Sequence, residues 1–501
     1  MKSRISLLVG IAAVAAIALS ACSSPSGSST SSSTADATIN IGSVYEPQNL
    51  DNTAGGGQGV TEALNGNVYE GLFKLGDDGS VTKLLDKTYT VSPDGLTYTF
   101  TLRNGVKFHS GATLTSADVK YSIDKVTSAA SQSARKSDFA VVKNIATPDP
   151  HTVVITLSSK SISFVYNLSY IWIIDHSAKN LKTSEDGTGP YELDTWKHGS
   201  SLSLKRFAGY WGTPAKNKEV VFTYYKDATA LNNALLTGAV DVVTSEQSPD
   251  ALKQFTSNAD FKVNNGHSTT KLLLAFNDKK APFNNVLVRK AVTSAINDKK
   301  LLSSIWGPYG TVTGSMVPPT DPWYENLTKV NPYDPTLAKQ ELAQAGLAKG
   351  FTFTLDTPNY DPHPAAAQFI KAALAKVGIT VNINIITPDE WYTKIYQNHD
   401  FVATMQEHVN DRDVVFYGNP DFYWGYNNPK VTDLINQAEQ SATTAEQTAK
   451  LKEANAQIVA DAASDWLYLY PQIVVASTKL SGYPLNGLNS QFYAYDIVKK
   501  S

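Results

Sequence analysis

The chain has 501 residues, 42% of them apolar and 18% charged, with 43 basic against 46 acidic side chains and a formal net charge of −3. No basic run or basic patterned helix occurs, so no nucleic-acid partner is expected, and the length is too great for one core, so at least two lobes are expected. The single cysteine excludes an intrachain disulfide framework and a paired-cysteine metal site.

At the start, Lys2 and Arg4 precede an apolar run from Ile5 to Leu19, then Ser20-Ala21-Cys22, the layout of a secretory signal peptide. At about 1.5 Å per residue the run spans about 22 Å, short of the ~30 Å hydrocarbon core of a bilayer. Small residues directly before Cys22 resemble a lipobox, which implies a lipidated cysteine as mature N-terminus. Removing Lys2 and Arg4 takes the formal charge to −5. Residues 23–34, almost entirely Ser with Pro, Gly and Thr, have no apolar side chains for a core and read as a flexible tether reaching roughly 20 Å.

Thr38 to Tyr45 alternates as a strand, followed by the loop Gly55-Gly56-Gly57-Gln58-Gly59 and a helix over Thr61 to Leu72. Ser92-Pro93-Asp94-Gly95 is a turn, after which Leu96, Tyr98, Phe100 and Leu102 alternate with threonines, and Asn104-Gly105 signals a hairpin. Thr115 caps a helix with Asp118 three residues on. Strands return over Val141 to Leu157. A second block holds two strands over Tyr191 to Phe207, a helix over Asp227 to Thr237 and the strand Val240 to Val243. From Lys271 come the strand Leu272 to Phe276, a helix over Val286 to Ile305 and a Pro-rich passage from Met316 to Pro335. Phe351 to Thr357, helix Pro364 to Val377 and strand Thr380 to Ile386 form a βαβ unit, hence a parallel sheet with covered faces. Helices over Thr432 to Ala442 and Thr444 to Ala462 and an apolar run over Trp466 to Val475 complete the chain.

Read in order, Val68-Tyr69-Glu70-Gly71-Leu72, Ser92 to Tyr98, Leu102 to His109, Gly187-Thr188-Gly189-Pro190-Tyr191, Tyr210-Trp211, Pro282-Phe283, Val288 to Val292 and Gly378-Ile379 resemble the extracytoplasmic solute-binding proteins of peptide, nickel and related ABC importers (family 5). The resemblance implies an α/β, bilobed, periplasmic-binding-protein-like clamshell, type II and cluster C-like, with an extra subdomain in the N-terminal lobe. The expected organisation is a signal peptide over 1–21 and a tether over 22–37. Lobe I comprises 38–67, 181–267 and a C-terminal return over 473–501, its extra subdomain 68–180, and lobe II 268–472. Hinges are expected near Asn264 to Ser268 and Tyr470 to Val475.

No nucleophile elbow, His-Glu-x-x-His, or phosphate loop with its lysine occurs, so no enzyme is expected. His109, His151, His176, His198, His267, His363 and His399 lack ligand-like spacing, so neither a protein metal site nor a cofactor is expected. In the family a loop at the place of Gly57 and Gln58 comes close to ligand, the alternative being a plain turn. Peptide-binding relatives place an aspartate near His408-Val409-Asn410-Asp411-Arg412-Asp413 to pair with a ligand amine. In an extended segment Asp411 and Asp413 share one face and Arg412 the other. Asp413 is the expected cleft-facing anion, with His408 and Arg412 as further candidates and a surface Arg-Asp pair as the alternative. Dipeptide-binding relatives carry an arginine before a Pro-Tyr-like segment, where this chain has Thr357 before Pro358-Asn359-Tyr360, so peptide specificity stays open. Trp172 and Trp424 are the expected pocket-lining aromatics, core packing being the alternative for each.

The function expected is the substrate-binding component of an ABC importer, lipid-anchored through Cys22 to the outer face of the cytoplasmic membrane. It captures a peptide-like or other small polar solute and passes it, as a monomer, to permease subunits. An extracytoplasmic sensor of the same fold and a carboxylate-dependent hydrolase are the alternatives.

Overall fold

The computed structural model describes residues 37–55 and 57–500. The expected signal segment, Cys22 and the serine-rich stretch lie outside the described residues.

Three sheets carry the architecture. The strand Thr38–Ser43, with Ile39 and Ile41 fully buried, lies inside a seven-stranded sheet. Its spatial order is Phe261–Gly266, Gln472–Ser477, Val242–Val243, Thr38–Ser43, Glu219–Tyr224, Ser201–Arg206, Tyr191–Lys197. The first strand is parallel to both neighbours, and the outer pairs are antiparallel.

An antiparallel four-stranded sheet orders Asp86–Val91, Thr97–Leu102, Thr152–Leu157 and Val142–Asp149. Tyr98, Phe100 and Leu102 face its core while the threonines between them stay half-buried, the period of two that a pleated strand imposes. The Ser92 to Gly95 turn joins its first two strands, Ser92 N–H donating to Thr97 O at 2.9 Å. Asn104-Gly105 makes no hairpin: Val106 and Phe108 are fully buried and draw the chain under the sheet. The helix Ser116–Thr127 begins with the expected box, Thr115 N–H donating to the Asp118 carboxylate at 2.7 Å. Val68, Tyr69, Trp172 and Ile174 pack with the core of the seven-stranded sheet, whereas Leu72, Phe73, Phe164 and Ile173 pack with the four-stranded one.

The third sheet has five strands, ordered Thr380–Ile386, Thr352–Pro358, Ala403–His408, Lys271–Phe276, Ser464–Leu469. Thr352–Pro358 and Thr380–Ile386 pair in parallel around the helix His363–Ala375, Thr352 opposite Thr380. One face of the sheet packs on that helix and on Val286–Ala295 and Pro335–Gln344; the other packs on Pro429–Glu439 and Thr444–Ala460. The helix expected over Val286 to Ile305 is two helices, because Ile296 is extended and Asn297 caps a new one, Asp298–Trp306, accepting from Lys300 N–H at 2.9 Å. The apolar run Trp466 to Val475 is likewise two strands, Ser464–Leu469 and Gln472–Ser477, which belong to different sheets. Apolarity marks both as buried and says nothing of the corner between them.

The chain thus passes between the seven- and five-stranded sheets twice, from Gly266 to Lys271 and from Leu469 to Gln472. These are the two halves of a bilobed α/β clamshell, with lobe I built on the first sheet and lobe II on the second. The space between them lies beside both crossings.

Candidate functional site

Tyr45 follows the first strand of lobe I, and Gln58 and Glu62 lie on the helix Gly57–Leu64. That helix runs close to the chain at Tyr45: a Cβ on Gly59 would lie 2.3 Å from the Tyr45 carbonyl oxygen, so only glycine permits the approach. Gly57, with φ +73°, has open space where a Cβ would be. Its positive φ, rather than crowding, favours glycine there.

Opposite stand Glu407 and Val409 at the end of the strand Ala403–His408, Trp306 at the end of its helix, and Tyr470 at the second crossing. Together with Thr244 and Gln472 these residues enclose a cavity of about 40 Å³. Gln58, Val409 and Ser490 also border a second chamber of about 360 Å³, lined further by Gly57, Asn65, Arg135 and Trp172. The deep cavity and the chamber therefore adjoin, with Gln58, Val409 and Ser490 between them.

The deep cavity is acidic. Glu62 is 4% exposed and accepts from Ser43 Oγ and Thr244 Oγ1, each at 2.6 Å. Burial pushes its carboxyl up to about 7 against the pull of those two hydroxyls. Burial likewise pushes Glu407 up to about 7, opposed only by the Tyr360 hydroxyl. Burial, reinforced by these two carboxylates, raises the Tyr45 hydroxyl, which Gln58 hydrogen-bonds. Among the described residues, no basic side chain lines this cavity.

The segment His408 to Asp413 departs from expectation. Its strand ends at His408 and a 3-10 helix begins at Asp413, so the intervening turn destroys the two-face alternation. Asp413 is not the cleft-facing anion. It is fully buried with Lys271 Nζ at 2.7 Å and His408 Nδ1 at 3.1 Å. Burial alone would raise its carboxyl, but Lys271 and His408 hold it below the usual range. His408 also points inward, its Nε2 2.9 Å from the Tyr423 hydroxyl. Trp424 is fully buried, stacked on Tyr417 at 4.4 Å and on His408 at 5.6 Å. It is core of lobe II, because the aromatic run that contains it packs on itself.

Asp411 and Arg412 turn the other way, toward the extra subdomain. Asp411 accepts from the Tyr166 hydroxyl, from Tyr170 at 2.8 Å and from Arg135 at 3.3 Å. The Arg412 guanidinium lies 3.5 Å over the Tyr166 ring and donates to Ser163 Oγ at 2.9 Å. Glu439 of lobe II also accepts from the Ser161 and Ser163 hydroxyls, and its carbonyl accepts from Ile162 N–H at 2.9 Å. Arg412 is thus an interlobe contact. Trp172 stacks on Tyr69 at 4.8 Å and donates to Asn65 Oδ1 at 2.8 Å while edging the chamber. Of the expected site residues, Gly57, Gln58 and Trp172 border the cleft, whereas His408, Asp413 and Trp424 belong to the interior of lobe II.

The cleft residues that sequence reasoning missed are Glu62, Glu407, Tyr45, Trp306 and Tyr470. One signal was present: Glu62 shares a helix face with Gly59 and Ala63, a carboxylate on an otherwise buried stripe. Thr357, standing where an arginine was sought, is fully buried and donates to Met405 O at 3.1 Å, so it offers a ligand nothing. Asp118, Asp175 and His176 bring three donor atoms within 4.8 Å. Asp118 is already engaged by Thr115 and by His176, whose ring Nδ1 lies 2.6 Å away.

Residues 80–411 match the family model described as bacterial extracellular solute-binding proteins, family 5 Middle. The chain belongs to this family. It is 30% identical over 364 residues to the glutathione-binding protein GsiB of Escherichia coli K12, covering 70% of this chain and 69% of that one. The fold matches the ABC transporter-associated periplasmic binding protein DppA of Helicobacter pylori in complex with the peptide STSA (TM-score 0.79, 23% identity, 93% and 98% of the two chains). It also matches CtaP of Listeria monocytogenes (TM-score 0.82, 19% identity, 93% and 100%). As a family 5 member the protein is the extracytoplasmic substrate-binding component of an ABC importer, taking up a peptide or other small ligand and delivering it to permease subunits. Among the described residues no helix is long and apolar enough to cross a membrane.

Proposed function

We propose that the protein is a lipid-anchored importer receptor that encloses its cargo in the cavity and chamber between the lobes and does no chemistry on it. The observation that carries this reading is that both lobes line one enclosed polar cavity beside the two chain crossings. Closure then depends on cargo, since a ligand that contacts both lobes binds the closed state better than the open one. The enclosed space favours a small polar solute. A peptide-like one is supported by a relative named for glutathione and a structural neighbour in complex with a peptide, although Thr357 lends no carboxylate partner. Cys22 and the serine-rich stretch support a tether, which makes the encounter with the permease effectively local.

Native mass spectrometry of protein purified without denaturation is expected to release a small molecule intact. Adding that molecule back to stripped protein should shrink the radius of gyration in X-ray scattering. Failure to retain any molecule, or scattering left unchanged when the released molecule is added back, would sink the reading; release of a chemically altered product would reinstate a hydrolase. Cys22→Ser is expected to shed the protein into the medium with cargo affinity intact, checked by immunoblot and calorimetry. A variant that stays on the membrane would remove the anchor.

A further inference from the structure

We propose that the deep cavity is a subsite for a compact organic cation on the cargo, an ammonium or guanidinium group, clamped between Glu62 of lobe I and Glu407 of lobe II. The proposal rests on the reading that this cleft holds the cargo, and it names the chemistry the cleft selects.

Some buried carboxylates of the molecule have a lysine beside them, while others, Glu246 and Asp465 among them, do not. Asp413 has Lys271 at 2.7 Å and Asp51 has Lys125 at 2.6 Å. Glu62 accepts from the Ser43 and Thr244 hydroxyls, and the half-buried Glu407 lies beside the Tyr360 hydroxyl, which donates to Gln406 Oε1 at 3.0 Å. Their ionisable neighbours Tyr45, Tyr224, Tyr360, Tyr468 and Tyr470 are all held neutral by burial. A desolvated carboxylate without a protein cation is costly, and two of them facing one cavity from opposite lobes await a charge that arrives from outside.

An independent feature points the same way. Trp306 and Tyr470, 1% and 7% exposed, line the same cavity, and the indole N–H and the Tyr470 hydroxyl have no partner in hydrogen-bond geometry, the Tyr468 hydroxyl lying beside both. Their rings meet edge to face with centroids 5.9 Å apart. An aromatic wall with an open hydroxyl suits a cationic head group, which it can meet by ring face and by lone pair.

Size selects the head rather than the whole cargo. A cavity of about 40 Å³ accommodates one such group or a few waters, while the adjoining larger chamber, which shares Gln58, Val409 and Ser490 with it, offers room for the remainder. With both carboxyls raised by burial, the empty pair is partly protonated near neutrality. A bound cation favours the ionised carboxylates, so its arrival releases part of that protonation to solvent.

The test is calorimetry on the cargo-stripped, refolded full-length protein at pH 7.5, in two buffers of different ionisation enthalpy. The probes are agmatine, putrescine, the tripeptide Ala-Gly-Ala and its N-acetylated form, 1,4-butanediol and succinate. At least one cation is expected to bind with proton release. Glu62→Gln and Glu407→Gln should each weaken that binding roughly tenfold or more while raising the melting temperature of the empty protein. A purely structural pair would not couple those two changes. The proposal is overturned if the diol, succinate or acetylated peptide binds as tightly as the cations, if both variants keep the affinity, or if no cation binds. The cargo eluted from the protein itself separates this from the receptor reading. If it closes the lobes but binds both variants equally, the cation subsite falls alone; if it leaves them open, both fall.

Discussion

Glu62 and Asp413 are both buried carboxylates, and the difference between them is one lysine. Asp413 sits against Lys271, itself 1% exposed, so Asp413→Ala strands a buried ammonium. The expected loss is roughly 3–5 kcal/mol, seen as a lower urea midpoint. A residue that merely faced the cleft would instead lose affinity at unchanged stability. Glu62 carries the opposite linkage. Its folded-state value, about 7, lies above the usual carboxylate value, so the folded state binds the extra proton. Its contribution is most favourable below about pH 4.5 and falls as pH rises through about 7. Glu62→Gln removes that penalty, so its stability advantage over wild type should grow between pH 5 and pH 8 by up to about 3 kcal/mol. Parallel melting curves for the two proteins across that range would remove the burial argument. At this scale the sequence was half legible: the residue types were visible, but which carboxylate meets a lysine and which meets a hydroxyl depends on a neighbour far along the chain.

At the scale of elements, local chemistry announced itself wherever backbone groups had to be satisfied nearby. The Thr115 and Asp118 box and the alternation from Leu96 to Leu102 are such cases. The break at Ile296 and Asn297 was hidden because apolar periodicity continues across it, with Val288, Val292, Leu301 and Leu302 all buried. Asn297→Ala should cost about 1 kcal/mol by removing the cap over Lys300 N–H, measurable as a shifted denaturation midpoint at constant slope. A neutral result would mean that packing alone starts the second helix. The segment from His408 to Asp413 failed for the converse reason: an extended backbone was expected, and a turn re-aims alternate side chains into lobe II and across to the extra subdomain.

At the scale of the whole molecule, the extra subdomain does more than decorate lobe I. Ser161, Ser163, Tyr166 and Tyr170 reach Glu439, Arg412 and Asp411 of lobe II, contacts that exist only when the lobes approach. Glu439→Ala should therefore raise the Kd for the eluted cargo roughly fivefold or more and leave the urea midpoint nearly unchanged, because each lobe keeps its own core. Calorimetry beside scattering checks this, and an unchanged Kd with unchanged closure would show that the cross-lobe bonds contribute nothing to the closed state. By itself the sequence determined the class of the molecule: the ordered family motifs and the sheet and helix periodicities, and with them a clamshell receptor. Those features are written in residues close together, where backbone geometry and hydrophobic period act. The tertiary structure decided the site. Glu62 and Glu407 lie hundreds of residues apart and meet only because the chain crosses twice between two sheets, and neither pattern nor propensity encodes which side chains will face one another across that gap.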